Sequence, residues 1–154
     1  MSSVQILFEL IEAGARIPTI AALTGILGSK ARNFWRLQNL KPPSGRYPSL
    51  QQFLKINRQH IEISILAQHL HALIGQALSD VEIIHRAYKT HRILYPRSSV
   101  TVDHTFILWR QLRSGDTALI KCPACGGNVL KTNKVAKCCY CRRSLDGGSH
   151  AAFS

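Results

Sequence analysis

The chain has 154 residues and a formal net charge of +12, from 20 lysines and arginines against 8 acidic residues. No run of about 18 apolar residues is present to span a membrane, and so few carboxylates leave little material for acid–base or Mg²⁺ chemistry. We therefore expect a soluble, cytoplasmic protein with a polyanionic partner, acting by binding and not as an enzyme.

The opening segment predicts an amphipathic helix without the basic leader of a signal peptide. A second helix is predicted from Pro18 to Gly25, because proline suits a first turn and glycine a helix end. A third is predicted over residues 30–39, with Ser29 as its N-cap and an end before Pro42. The predicted buried face of the opening helix consists of Val4, Leu7, Phe8, Ile11 and Ala15.

A helix, a glycine-containing turn and a second helix form the outline of a helix-turn-helix. Arginine can contact the edge of guanine and asparagine that of adenine, so a polar face on the third helix predicts a major-groove reader. The alternative is a solvated face on a core helix. The apolar side is Ala31, Phe34 and Trp35, and the candidate DNA contacts are Ser29, Lys30, Arg32, Asn33 and Arg36.

Charge distribution favours the DNA interpretation. Between Ala13 and Ile61 the chain carries eight basic residues and no acidic one. Scattered lysines and arginines usually form an ordinary solvated surface, but an acid-free stretch of this length indicates a polyanion-binding region.

The middle of the chain is predicted to be helical. A long buried helix is expected within residues 57–78, and Ser79 with Glu82 predicts a capping box that opens the next helix. That helix should end at Tyr95, and another should cover residues 103–113. The histidines of this region match no ligand pattern and are expected at the surface or facing a partner: His60, His69, His71, His85 and His91.

All five cysteines lie near the C-terminal end of the sequence. Two C-x-x-C pairs separated by twelve residues predict a tetrahedral zinc site with one structural Zn²⁺ ion, since four thiolates leave no open position. Cys139 is the spare thiol, although an exchange of roles with Cys138 stays open. Gly126 and Gly127 should supply unusual backbone angles. The predicted ligands are Cys122, Cys125, Cys138 and Cys141.

The predicted fold is mainly α, with an N-terminal helix-turn-helix and a helical core before a small zinc-ribbon-like module with short β-strands. The segments are 1–48 for DNA binding, 49–115 for the core and partner binding, 116–146 for zinc, and 147–154 as a flexible tail. The zinc module is also basic, and its candidate DNA contacts are Lys131, Lys134, Lys137, Arg142 and Arg143.

In this order and spacing the residues resemble the FlhC family, the zinc-bearing subunit of the flagellar master regulator. The resemblance covers most of the chain. It lies in Glu9-Leu10-Ile11, Gly14-Ala15-Arg16, Thr24, Ile26, Arg32, the "KPPSGRYP" segment, Ala87-Tyr88, Pro96, Arg110, Ser114-Gly115 and the paired cysteines with Gly126-Gly127.

The resemblance implies a hetero-oligomer with a small helical FlhD-like subunit that binds double-stranded promoter DNA and recruits RNA polymerase, in the nucleoid. It also implies that the four paired cysteines hold zinc. The stretch between the cysteine pairs is shorter than in flagellar members, and relatives on conjugative elements activate transfer operons, so both kinds of target stay open. The alternative from another class is a zinc-ribbon protein that binds RNA or other polyanions without reading sequence.

Overall fold

The structure, a computed structural model, describes residues 2–146. This range contains seven helices followed by a two-stranded antiparallel sheet, so the predicted fold class is confirmed. The predicted tail, 147–154, lies outside the described residues. The elements are α1 Ser3–Glu12, α2 Ile17–Thr24, α3 Gly28–Leu37, α4 Gln51–Lys55, α5 Asn57–Leu73, α6 Asp80–Leu94, α7 Val102–Ser114, β1 Ala118–Lys121 and β2 Asn128–Lys131.

These elements form two compact units, and each unit is built from two separate stretches of chain. The first contains the residues up to Pro48 together with Leu73–Phe106. The second contains Ser49–Ala72 and the chain from Ile107 onward. The segments predicted from the sequence are consecutive and defined by function, so this division neither matches nor excludes them, and they stay predictions.

In the first unit, α1 packs against α3 and α6, and α2 packs against α3. The buried face of α1 is centred on Leu10, with Ile6 beside it. Val4 was predicted to be buried, but it is 57% exposed. Leu7 and Ile11, which follow Val4 along the same face, are buried as predicted, so it is the first turn of that face that is exposed.

Local chain signals set most helix ends. Pro18 lies in the first turn of α2, and Gly25 ends that helix in the left-handed conformation, with φ of 69°. The capping box between Ser79 and Glu82 is confirmed at the start of α6. The predicted N-cap Ser29 is wrong: α3 begins at Gly28 after Leu27, which makes no side-chain cap. Helix α5 ends at Leu73, earlier than predicted.

Gly75 explains the early end of α5. Its φ of 92° is left-handed, a conformation that a helix cannot continue through. The amide of Gln76 instead donates to the carbonyl of Leu73 in a tight turn. The apolar residues after Leu73 therefore leave the helix although their composition suits one.

The expectation that the central histidines lie at the surface is wrong for His60, His85 and His91, which are buried. Each has a polar partner that offsets the cost of burial. His60 Nε2 donates to a backbone carbonyl at 2.8 Å, His85 Nε2 lies 2.7 Å from the Glu9 carboxylate, and His91 Nε2 lies 3.1 Å from a serine hydroxyl. His71 is exposed, as expected.

Candidate metal centre and basic surfaces

Four cysteine sulfurs converge in the second unit. The Sγ atoms of Cys122, Cys125, Cys138 and Cys141 all lie within 4.8 Å of one another. The Cys122–Cys141 and Cys125–Cys138 pairs are each separated by 3.7 Å. Four sulfurs about 2.3 Å from a central ion, the usual zinc–thiolate length, lie about 3.8 Å apart in a tetrahedron. The cluster therefore has the size and the donor set to hold a metal ion.

Two backbone loops of matching design present these sulfurs, and we call them the first knuckle (122–127) and the second knuckle (138–143). In the first, the Cys122 amide donates to Gly127 O, and the Gly126 amide donates to Cys122 O. In the second, Cys138 and Arg142 repeat that pattern, with the Cys138 amide donating to Arg143 O. The first knuckle is also the loop of the β1–β2 hairpin.

The glycine pair of the first knuckle has two separate roles. Gly126 has a φ of 75°, which side-chain-bearing residues rarely adopt. Gly127 is needed for space, because a Cβ there would lie 2.8 Å from the Tyr140 ring. Only Gly126 meets the expectation of an unusual backbone angle. In the second knuckle the corresponding residue is Arg142, with a φ of 66°.

The knuckle amides also favour negative charge on the sulfurs. The amide of Cys125, assisted by that of Ala124, lowers the pKa of the Cys122 thiol to about 6. At Cys138 burial outweighs the amides of Cys141 and Tyr140 and raises the pKa of the thiol to about 12. A bound cation would hold all four cysteines as thiolates. The buried Cys138, whose thiol has the raised pKa, would depend most on the ion for losing its proton.

Cys139 lies outside the cluster. Its sulfur is buried and lies 3.8 Å from the hydroxyl of Ser64 on α5, and burial raises the pKa of its thiol. It packs in a small core with Val129 and Leu145. The geometry therefore places Cys138, and not Cys139, among the four candidate ligands.

Helix α5 holds the strand that leads away from the first knuckle. The Leu130 amide donates to Ser64 Oγ at 3.0 Å, and His60 Nε2 donates to Leu130 O at 2.8 Å. His60 and Ser64 are one helical turn apart, so both reach one residue of β2. We call this contact the α5 clamp. The sequence feature that indicates this clamp is the pair His60 and Ser64, two polar residues on an otherwise apolar face of α5.

The basic residues of the cysteine module (116–146) differ in exposure. Lys134, Lys137, Arg142 and Arg143 are exposed. Lys131 is partly buried, and its Nζ lies 3.7 Å from a carboxylate oxygen of Asp146. Of the five predicted DNA contacts in this module, Lys131 is therefore the least free to neutralise a phosphate.

In the first unit the predicted reading face of α3 is exposed. Helices α2 and α3 are joined by the short turn at Gly25–Leu27, and α3 buries Ala31 and Trp35 against the core. The opposite side bears only exposed side chains, and all five predicted contacts lie there: Ser29, Lys30, Arg32, Asn33 and Arg36.

The loop after α3 adds two basic residues that the sequence reasoning did not select, Lys41 and Arg46, and both are exposed. This loop is fastened to α2, because Arg16 donates to Gly45 O at 2.8 Å and Thr19 Oγ1 lies 2.6 Å from the Tyr47 hydroxyl. In the sequence, Lys41 and Arg46 were indicated only by their position in the acid-free stretch between Ala13 and Ile61. Arg16, from the same stretch, is occupied by an ion pair with buried Asp103.

Among residues 2–146, no helix is both long enough and apolar enough to cross a bilayer. Comparison of the sequence with protein-family models and with curated proteins finds no match to either.

Proposed function

We propose that this protein is a DNA-binding transcriptional activator of the FlhC type. It acts in a hetero-oligomer with a small helical FlhD-like subunit, binds double-stranded promoter DNA in the cytoplasm at the nucleoid, and recruits RNA polymerase. The observation that carries the proposal is the exposed polar face of α3, with Arg32, Asn33 and Arg36, directly after a short helix and a glycine turn.

The chemistry of that face suits duplex DNA. A helix fits the major groove of B-form DNA, where arginine binds the O6/N7 edge of guanine and asparagine the N6/N7 edge of adenine. The groove of A-form RNA is too deep and narrow for this. Lys41 and Arg46, in the loop fastened to α2, would contact phosphates, which position a protein without specifying sequence.

We infer that the ion of the four-cysteine cluster is one structural Zn²⁺. Four thiolates complete a tetrahedral shell and leave no position for water or substrate, which is typical of structural and not catalytic zinc. The ion would fold the second knuckle onto the β1–β2 hairpin. The exposed Lys134, Lys137, Arg142 and Arg143 would then add phosphate contacts.

The partner and the targets follow from the resemblance stated above. The promoters would be those of flagellar operons or, for a mobile-element relative, of conjugative transfer operons. Chromatin immunoprecipitation of a tagged chain in its native cell, with the candidate partner gene present, identifies the bound DNA. Sharp peaks upstream of a few operons are expected, and diffuse signal would favour the RNA or general polyanion alternative.

The reading role of α3 is tested with Arg36→Ala on a promoter fragment identified in that way. Loss of one bidentate base contact costs roughly 1–3 kcal/mol, or about fivefold to a hundredfold in affinity. Arg86→Ala, which removes an exposed arginine from α6, is the matched control and should bind normally. Equal binding by both variants under competition with unrelated DNA would remove α3 from the reading role.

A further inference from the structure

Tyr140 is an exposed aromatic residue at the tip of the second knuckle, between two metal-binding cysteines. The residue as a whole is 38% exposed. The ring lies over Gly127 of the first knuckle, where a Cβ would come within 2.8 Å of Cδ2 and 3.1 Å of Cε2. Its amide donates to the sulfur of Cys138 at 3.3 Å. The ring is therefore held on the metal centre and still accessible.

Three basic residues flank Tyr140 along the chain. Lys137, Arg142 and Arg143 are all exposed and lie within three residues of Tyr140. The bridge between Lys137 and Ser144 and the bond from the Cys138 amide to Arg143 O close these residues into one loop. The sequence has no acidic residue between Asp116 and Asp146, so every charged Lys, Arg, Asp or Glu side chain from 137 to 143 is basic.

We propose that the second knuckle binds single-stranded DNA by stacking an unpaired base on Tyr140, while Lys137, Arg142 and Arg143 bind the flanking phosphates. Exposed aromatic rings within basic grooves bind single strands in this way, because every base has a face that can stack. Bases within a duplex are already stacked on one another, so an aromatic platform adds affinity only for an unpaired strand. The ring and the three basic side chains all lie within residues 137–143.

The choice of DNA over RNA rests on the proposed function, since a promoter becomes locally single-stranded when polymerase opens it. The stacking site itself does not depend on that function. A short oligothymidylate needs no promoter sequence, so failure of α3 to read a promoter would leave this site intact, and the reverse also holds.

A purely structural role for Tyr140 makes a different prediction. If the ring served only to cover Gly127, any apolar side chain of similar reach would replace it. Tyr140→Leu keeps apolar bulk over Gly127 but removes the aromatic face, whereas Tyr140→Phe keeps both. These two variants separate packing from stacking.

The test is fluorescence anisotropy with the zinc-loaded full chain, labelled oligothymidylate, the matching oligouridylate and a blunt-ended duplex without unpaired bases, all at one salt concentration. Tyr140→Leu should weaken oligothymidylate binding roughly fivefold to a hundredfold, the usual cost of one stacked base. Duplex binding should not change, and Tyr140→Phe should bind like the unaltered chain. Unchanged oligothymidylate binding by Tyr140→Leu, or equal loss for strand and duplex, would refute the stacking site.

A second measurement needs no substitution and so does not depend on variant folding. Oligothymidylate carrying 5-iododeoxyuridine is irradiated with the unaltered chain, and the crosslinked residue is mapped by mass spectrometry. Crosslinking at Tyr140 is expected. Crosslinks confined to other residues would overturn the proposal, and tighter binding of oligouridylate in the anisotropy assay would replace DNA by RNA as the ligand.

Discussion

His104 occupies the position that glutamate or glutamine usually holds in a capping box. Thr101 precedes α7, and its amide donates to His104 Nδ1 at 3.0 Å, while the His104 amide donates to Thr101 Oγ1 at 3.4 Å. Nδ1 can accept this bond only while it carries no proton. Burial, with a smaller contribution from nearby Arg16, lowers the pKa of His104 from 6.5 to about 4.

This arrangement predicts an acid-sensitive stability. The folded state favours neutral His104, so its contribution is complete above the unfolded pKa of 6.5 and is lost as pH falls toward the folded pKa of about 4. The loss could reach about 3 kcal/mol in the free energy of unfolding. About 2 kcal/mol of this loss is expected between roughly pH 7 and pH 5, and urea unfolding at those two pH values measures it.

The matched control is His104→Gln, because glutamine can accept the Thr101 amide bond without titrating. Buried Asp103, whose pKa is raised by burial, is present in both chains and cancels from the comparison. The unaltered chain should lose more stability than the variant on acidification. An equal loss in both would contradict the assignment to His104.

Arg142 adopts a backbone conformation that suits glycine. It takes the place in the second knuckle that Gly126 takes in the first, and its φ is 66°. Left-handed φ costs a side-chain-bearing residue roughly 1–2 kcal/mol. Arg142→Gly should therefore raise the stability of the metal-loaded chain by about 1 kcal/mol, while it removes one predicted phosphate contact.

The control is Arg143→Gly, which also removes one positive charge but at the adjacent position, where φ is not positive. This variant should lower stability slightly. Thermal unfolding of the metal-loaded variants compares the two. If Arg142→Gly were no more stable than Arg143→Gly, the strain assigned to Arg142 would be absent.

At the scale of elements, the α5 clamp connects a helix to a two-stranded sheet that is too small to be stable alone. His60 and Ser64 occupy both backbone groups of Leu130, so they cover the edge of β2 that β1 leaves free. The hairpin that presents Cys122 and Cys125 thus depends on side chains 66 and 70 residues earlier in the sequence.

Ser64→Ala leaves the buried Leu130 amide without an acceptor, which should cost roughly 1–3 kcal/mol. Because Leu130 lies on the strand that follows the first knuckle, the variant should also release metal faster to a chelator. Ser79→Ala removes a helix cap in the other unit at a cost of about 1 kcal/mol and serves as the control. Metal release at the same rate in both variants would argue against the clamp as a support of the metal centre.

At the scale of the whole molecule, the metal centre and the helical core of the first unit should respond differently to loss of the ion. Among the described residues, the core around the cysteines adds to the thiols only a few Val, Leu and Ile side chains, and a core of that size does not fold a module without its metal. Chelation, or Cys122→Ser, should unfold residues 117–146 and leave the first unit folded, as measured by the dispersion of amide NMR signals.

Cys139→Ala is the control for this experiment, because it removes the thiol that lies outside the cluster. It should retain one zinc ion per chain and the dispersed signals of the module. Loss of metal from Cys139→Ala with retention in a Cys138 variant would exchange the roles of the two neighbours.

The sequence by itself determined the features that depend on neighbouring residues. Gly25 ends α2 and Ser79 caps α6 through bonds made within one helical turn, and a C-x-x-C spacing brings two sulfurs together whatever surrounds it. Features of this kind can be predicted from the order of the residues alone. The mainly helical fold, the helix order and the pairing of two cysteines within each knuckle were predictable for this reason.

Tertiary structure alone decided the features that depend on distant partners. Burial of His60 required a carbonyl 70 residues away, and the choice of Cys138 over Cys139 required Ser64 beside the unused thiol. The setting of Tyr140 likewise depends on Gly127 in the other knuckle. Sequence spacing cannot show these contacts, because the energy that favours each one arises only when separate stretches of chain are packed together.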